Sequence, residues 1–154
     1  MNGKDVFTVL DDTYLPQMAE LYRSAFAGGP WNDDWSDEAQ LTEYMKEISH
    51  SCNALNFGLI RDGRLIALSV GMIRHWWEGT NYNIEELCVS PDMQGTGIGT
   101  AFMGMISAEV KKRGLAGIFL QTDNDKPAYD FYLKNGFNEL ESHVSLYKKV
   151  YKGR

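Results

Sequence analysis

The sequence predicts an α/β protein with a central mixed β-sheet flanked by about four helices. Apolar residues fall alternately at helical spacing and in short strand-like runs, in the order β-α-α-β-β-β-α-β-α-β-β. A strand, helix, strand crossover over residues 81–122 implies parallel neighbours there, while Asp62-Gly63 between two apolar runs is a hairpin signal. The chain has 154 residues, 44% of them hydrophobic, so one domain over residues 1–154 can bury a core unaided.

Residues 6–10 form the first strand. Residues 14–26 place Leu15, Met18, Leu21, Tyr22 and Phe26 on one helical face, with Thr13 as the cap and Gly28, Gly29 and Pro30 as the stop. Ser36, followed by Asp37 and Glu38, starts a second helix whose stripe is Leu41, Tyr44, Met45 and Ile48, ending near His50. Residues 56–61 and 64–73 are strands, and a further strand, residues 81–90, ends at Pro91. Residues 97–113 form a helix with Ile98, Phe102, Met105, Ile106 and Val110 inward, Lys111 to Arg113 in its last turn and Gly114 after it. The strand 116–122 and the helix 126–135 follow, the latter capped by Asp125, with Pro127 in its first turn and Gly136 after its end. Residues 137–140 and 144–151 close the chain as strands.

Charge and composition narrow the function classes. A net charge of -6 disfavours a duplex nucleic-acid binder, which needs a basic face, and makes a cationic partner more natural. Cys52 and Cys88 make no CxxC, which fits a reduced cytoplasmic setting. His50, His75 and His143 share no metal-ligand spacing, so no metal is expected. The first apolar stretch is broken by acidic residues, unlike a signal peptide, and no apolar run is long enough to cross a bilayer.

The most informative segment runs from Glu86 to Thr100: a strand, Glu86-Leu87-Cys88-Val89-Ser90-Pro91, then Asp92-Met93-Gln94-Gly95-Thr96-Gly97-Ile98-Gly99-Thr100. Glycines allow close backbone approach to an anion, several N–H groups point one way, and a helix start adds partial positive charge. A Walker A loop is excluded because no lysine is present. A dinucleotide-type GxGxxG is excluded because Thr100 and Phe102 stand where glycine is needed. The remaining pattern, Gln-x-x-Gly-x-Gly at Gln94, Gly97 and Gly99, resembles the pyrophosphate-binding motif of the GNAT (GCN5-related) N-acetyltransferase superfamily. Downstream, Ala128-Tyr129-Asp130-Phe131-Tyr132-Leu133-Lys134-Asn135-Gly136-Phe137 is similar to that family's Ala-x-x-Phe-Tyr-x-x-x-Gly-Phe signature. The two motifs cover about residues 81–140. One departure is that Asp125 stands where the family often has asparagine, with Asn124 one position earlier.

The resemblance implies a GNAT-like acyl-CoA N-acyltransferase fold, acetyl-CoA as cosubstrate, a homodimer, and direct transfer of acetyl to a primary amine. It implies that main-chain groups of Leu87, Cys88 and Val89, on a strand splayed from its neighbour, hold the pantetheine arm and polarise the thioester. Gln94, Gly95, Thr96, Gly97, Ile98, Gly99 and Thr100 would hold the pyrophosphate, with Asn124, Tyr129 and Tyr132 as further coenzyme contacts. Tyr132 is the expected acid for the departing thiolate, since a phenol of pKa about 10 can protonate one. An ammonium of pKa about 10 must lose its proton before attack, and Glu86 is the candidate base. Strand alternation turns Glu85 and Glu86 to opposite faces. On the acceptor side, Trp31, Asp33, Asp34, Trp35, Trp77, Glu78 and Glu85 are acidic and aromatic, a combination that attracts cations. The acceptor expected is therefore a small polycation, aminoglycoside-like or polyamine-like. A protein or peptide amine is the enzymatic alternative. A non-catalytic acetyl-CoA sensor would keep the glycine loop without needing Tyr132 or Glu86.

Overall fold

The computed structural model describes residues 4–152. Its elements are β1 (Asp5–Val9), α1 (Leu15–Ala27), α2 (Glu38–Ser49), β2 (Ala54–Arg61), β3 (Arg64–Trp76), β4 (Gly79–Val89), α3 (Ile98–Lys112), β5 (Gly117–Phe119) and α4 (Pro127–Lys134), with short 3-10 turns at Asp12–Tyr14 and Pro91–Met93. The chain divides after Gln121 into two compact units. The first holds a five-stranded sheet in the order β1-β2-β3-β4-β5. Strands β1 to β4 form an antiparallel meander, and β5 lies parallel to β4, as a crossover through α3 demands. The β2–β3 turn has Asp62 at φ 49° and Gly63 at φ 79°, the left-handed pair that a tight hairpin needs.

Helices cover both faces of this sheet. Met18, Leu21 and Tyr22 of α1 and Leu41, Met45 and Ile48 of α2 pack with Leu65, Leu68, Val70 and Cys88. On the opposite face Phe102 of α3 meets Phe7 edge-on at 6.0 Å, Phe7 stacks on Phe57 at 5.2 Å, and Phe57 meets Tyr82 at 5.3 Å. The Tyr82 hydroxyl is satisfied inside the core by Ser69 Oγ at 2.8 Å and the Leu55 carbonyl at 2.9 Å.

A bulge in β4 decides what faces the α1–α2 side. Val70 pairs with Glu86 but the adjacent Gly71 pairs with Ile84, so Glu85 is the extra residue. Tyr82 and Ile84 therefore share the α3 face, while Glu86 and Cys88 turn to the α1–α2 face. Simple alternation across Glu85 and Glu86 does not hold.

Several expectations are corrected. Thr13 does not cap α1: it gives both its N–H, at 3.0 Å, and its hydroxyl, at 2.5 Å, to Asp11 Oδ1, and Asp11 is thereby the cap of the 3-10 turn. The α2 cap is Asp37, which accepts from the Gln40 N–H at 3.1 Å, so Ser36 lies outside the helix. Met103, rather than Met105, is the fully buried methionine of α3. The strand expected over residues 116–122 is only three residues long.

In the second unit, α4 begins after Lys126 without a side-chain cap from Asp125. Gly136 follows it at φ 92°, as expected of a helix stop. Residues 137–140 and 144–151 are not strands. Val144, Leu146 and Val150 are exposed, and a strand is defined by a ladder that these residues do not make among the described residues.

Candidate active site

Strand β4 is paired along its whole length with β3, but with β5 only at Asn81, Tyr82 and Asn83. From Ile84 to Val89 its other edge lies outside the β5 ladder. Ser90 donates its N–H to the Ile66 carbonyl at 2.8 Å, which fixes the phase of the ladder. Counting back by two, Cys88 and Glu86 direct their main-chain groups to β3, and Leu87 and Val89 direct theirs to the open edge. The Val89 carbonyl is met there by Gln94 Nε2 at 3.3 Å. Of the three residues expected to hold a ligand arm by their main chain, Leu87 and Val89 have the geometry. Cys88 does not: its main chain belongs to the β3 ladder and its thiol is buried in the core, where desolvation pushes it up.

The glycine-rich loop follows directly. Gly95 and Gly97 have φ of 76° and 85°, and a Cβ at either would meet nothing within 4 Å, so the backbone conformation rather than crowding requires glycine. Gly97 is the α3 N-cap and offers no side-chain hydrogen bond. The first-turn N–H groups of Ile98, Gly99 and Thr100 therefore face outward without an acceptor inside the helix, beside exposed Gln94, Gly95 and Thr96. Thr96 turns its hydroxyl to the Met93 carbonyl, which tightens the turn. Outward N–H groups at a glycine-built helix start are an arrangement that can receive an anion such as a diphosphate.

Sequence reasoning missed what holds this loop. Arg64 makes a bidentate pair with Asp92, both bonds at 2.8 Å, and donates to Ser90 Oγ at 2.6 Å. Hydrogen bonding from Arg64, then from Ser90, holds the Asp92 carboxyl well below its ordinary range. Arg61, paired to Asp5 at 2.6 and 2.8 Å, reaches Met93 Sδ at 3.6 Å. Two arginines from the hairpin opposite thus anchor the 3-10 turn that leads into the glycines. A hairpin Arg64 and a distant Asp92 carry no sequence signal of their pairing.

On the α1–α2 face, Glu86 sits among aromatic rings. Tyr44 Oη donates to Glu86 Oε1 at 2.6 Å and Tyr22 Oη to the same oxygen at 3.3 Å. Trp35 stacks on Tyr44 at 5.4 Å, Tyr22 meets Trp35 at 5.5 Å and Phe26 at 4.9 Å, and Trp31 meets Phe26 at 5.3 Å. Burial pushes the Glu86 carboxyl up, against the lowering effect of the two phenols, with Asp33 and Glu85 adding to the rise. A carboxylate so placed is a better proton acceptor than an exposed one. Trp35 Nε1 is buried and has no partner among the described residues.

The structure thus brings Glu86, Trp31 and Trp35 together with exposed Asp33 and Glu85 close enough to act on Glu86 electrostatically. Asp34 accepts the Ser36 N–H at 3.0 Å, shaping the loop before α2. Trp77 and Glu78 do not join this group. They stand at the exposed tip of the β3–β4 hairpin, and from Gly79 to Glu86 at about 3.3 Å per residue the separation is roughly 20 Å. Tyr22 and Tyr44 were legible only as members of apolar helical stripes.

The second unit carries Asn124, Tyr129 and Tyr132. Tyr132 lies in α4 with its ring edge-on to Phe131 and to Phe137, both at 5.4 Å. The Tyr132 carbonyl accepts the N–H groups of Asn135 and Phe137 at 3.1 Å, which closes the helix and brings Phe137 back onto the tyrosine. Asn124 and Asp125 are exposed in the turn before α4, and Tyr129 is half-buried in its first turns. Among the described residues no group of three or more histidine, cysteine or acidic side chains could hold a metal, and no helix is long and apolar enough to cross a membrane.

Comparison with known proteins agrees with this geometry. The family model for the acetyltransferase (GNAT) family matches residues 15–137. The [ribosomal protein bS18]-alanine N-acetyltransferase of Escherichia coli (strain K12) is 30% identical over 139 residues, covering 90% of this chain and 84% of that protein. An aminoglycoside acetyltransferase from an uncultured soil metagenomic sample superposes with a TM-score of 0.73 at 20% identity, over 97% of this chain and 99% of that one. A possible acetyltransferase from Clostridium difficile 630 reaches a TM-score of 0.80 at 14% identity, over 96% and 99% of the two chains. The open edge of β4, the glycine-built start of α3 and a match through most of the sequence lead to one conclusion: the chain belongs to the acetyltransferase (GNAT) family and is an acetyl-CoA-dependent N-acetyltransferase.

Proposed function

We propose that this enzyme acetylates a primary amine of a small cationic acceptor, aminoglycoside-like or polyamine-like, by direct attack. The observation that carries the reading is the half-buried Glu86 carboxylate in a wall of aromatic rings, with Asp33 and Glu85 adding negative potential. Acetyl-CoA supplies the activated acetyl group as a thioester. The N–H groups from Gly95 to Thr100 would hold its diphosphate, and the main chain of Leu87 and Val89 its pantetheine arm. Asn124 and Tyr129 would be further coenzyme contacts. Glu86 would take the proton of the acceptor ammonium, and Tyr132 would protonate the leaving thiolate. Trp31, Asp33, Asp34 and Trp35 would line the acceptor side. The family match runs across the boundary at Gln121, which supports taking residues 1–154 as one catalytic domain.

An α-amine at a peptide N-terminus is the second reading. It is supported by the Escherichia coli relative, whose name gives an alanine of a ribosomal protein as its acceptor. Thiol release from acetyl-CoA, measured over polyamines, aminoglycosides and peptides beginning with alanine, separates the two. Turnover with the polycations is expected, and turnover with the peptides alone would replace the first reading by the second.

A further inference from the structure

Two phenols from different helices meet on one carboxylate oxygen. Tyr44 of α2 and Tyr22 of α1 both donate to Glu86 Oε1, at 2.6 and 3.3 Å, and no hydrogen bond from the described residues reaches Oε2. The donors are held in place: Tyr22 is 4% exposed, and Tyr44 is stacked on Trp35 with ring planes 17° apart. Burial, followed by the charge of Glu86 for Tyr22 and its hydrogen bond for Tyr44, pushes both phenols far up, so they remain protonated donors. A carboxylate without such partners would turn about its terminal bond and present either oxygen.

We propose that Tyr22 and Tyr44 are positioning residues for acetyl transfer, clamping Glu86 Oε1 and leaving Oε2 as the oxygen that takes the proton of the acceptor amine. The inference rests on Glu86 being the base. The groups that act on Glu86 are Tyr22 from α1, Tyr44 from α2, Asp33 from the loop between them, and Glu85 on β4, with the Cys88 thiol also within its electrostatic reach. Burial favours the neutral carboxyl and the two phenols oppose it, so removing a phenol should move the Glu86 titration to higher pH.

The test is a carbon-13 NMR titration of the full chain labelled at glutamate carboxyl carbons, with the Glu86 signal assigned by its loss in Glu86→Gln. Tyr44→Phe is expected to raise the Glu86 midpoint by about one pH unit and Tyr22→Phe by less, its bond being longer. The acid limb of kcat/KM for spermidine should move by the same amount. An unmoved midpoint in variants that melt and bind acetyl-CoA like the wild type overturns the clamp. Tyr22→Phe carries the same test if Tyr44→Phe does not fold. Full activity in Glu86→Gln would instead remove the base assignment, whereas lost activity there with unmoved midpoints in both tyrosine variants removes only the clamp.

Discussion

The β4–α3 junction and the Glu86 wall stand on the same strand but are built from different material. The junction is made of backbone: two left-handed glycines, an uncapped helix start and the open edge of a strand, all within residues 87–100. The wall is made of side chains brought in from α1, α2 and the loop between them, and only a bulge at Glu85 turns Glu86 toward it. A backbone site binds what every member of a family shares, because main-chain N–H groups carry no side-chain identity. A side-chain site can be rebuilt position by position, so it is where acceptor preference resides in this reading.

Glu86→Gln gives the sharpest separation. If the wall does the proton chemistry and the junction only binds, kcat should fall by about 100-fold or more while the dissociation constant for acetyl-CoA stays unchanged. Stopped-flow turnover beside calorimetric coenzyme binding reads both quantities. Equal losses in the two would mean that the regions are not separable. The pH profile follows in sign: the Glu86 carboxyl lies above its ordinary 4.5, so wild-type kcat/KM should rise as pH passes up through that raised value, and the variant should lack this limb.

Gly71→Ala tests whether the bulge aims Glu86. A Cβ there would stand 2.5 Å from the Asn83 carbonyl oxygen and 2.6 Å from the Tyr82 ring, and neither can move without disturbing the β3–β4 ladder. A loss of about 2–3 kcal/mol of stability is expected from chemical denaturation. In the fraction that remains folded, kcat should suffer more than coenzyme affinity. Wild-type stability would show that β4 yields easily and does not hold Glu86 by its register.

Gly97→Val addresses the junction. Nothing crowds a side chain at Gly97, so the fold should survive, but a β-branched residue resists φ 85°. Affinity for acetyl-CoA should drop about tenfold, with a stability loss of about 1–2 kcal/mol from the strained φ in chemical denaturation. An unchanged affinity would show that the start of α3 does not hold the diphosphate.

What could be read in advance follows from this division. Gly95 and Gly97 take left-handed φ values that backbone geometry imposes locally, so the loop and the helix after it were legible to within a residue. The order of elements through α4 was legible because Leu41, Met45 and Ile48, or Ile98, Phe102 and Ile106, repeat at helical spacing. Tyr22 and Tyr44 also keep that spacing, and apolar periodicity cannot tell a core ring from one whose hydroxyl ends on a carboxylate. The Glu85 bulge was hidden because alternation assumes an unbroken ladder. Residues 144–151 alternate as a strand would, yet a strand requires a partner that local pattern does not supply.

The hairpin tip lies apart from the Glu86 wall. Trp77 is 82% exposed and Glu78 is exposed beside it, and together they repeat the acidic and aromatic chemistry of Trp35 and Asp33. Their composition alone would place them in a cation site, but roughly 20 Å of strand separates them from Glu86. Trp77→Ala is therefore expected to leave the KM for spermidine within about twofold of wild type, because a ring that buries little surface has little interaction to lose. Trp35→Ala should raise it more, since that ring packs on both tyrosines that reach the carboxylate. A Trp77 effect as large as that of Trp35 would mean that the acceptor extends along β4 to the hairpin, and a polymeric amine would then replace a compact one as the substrate.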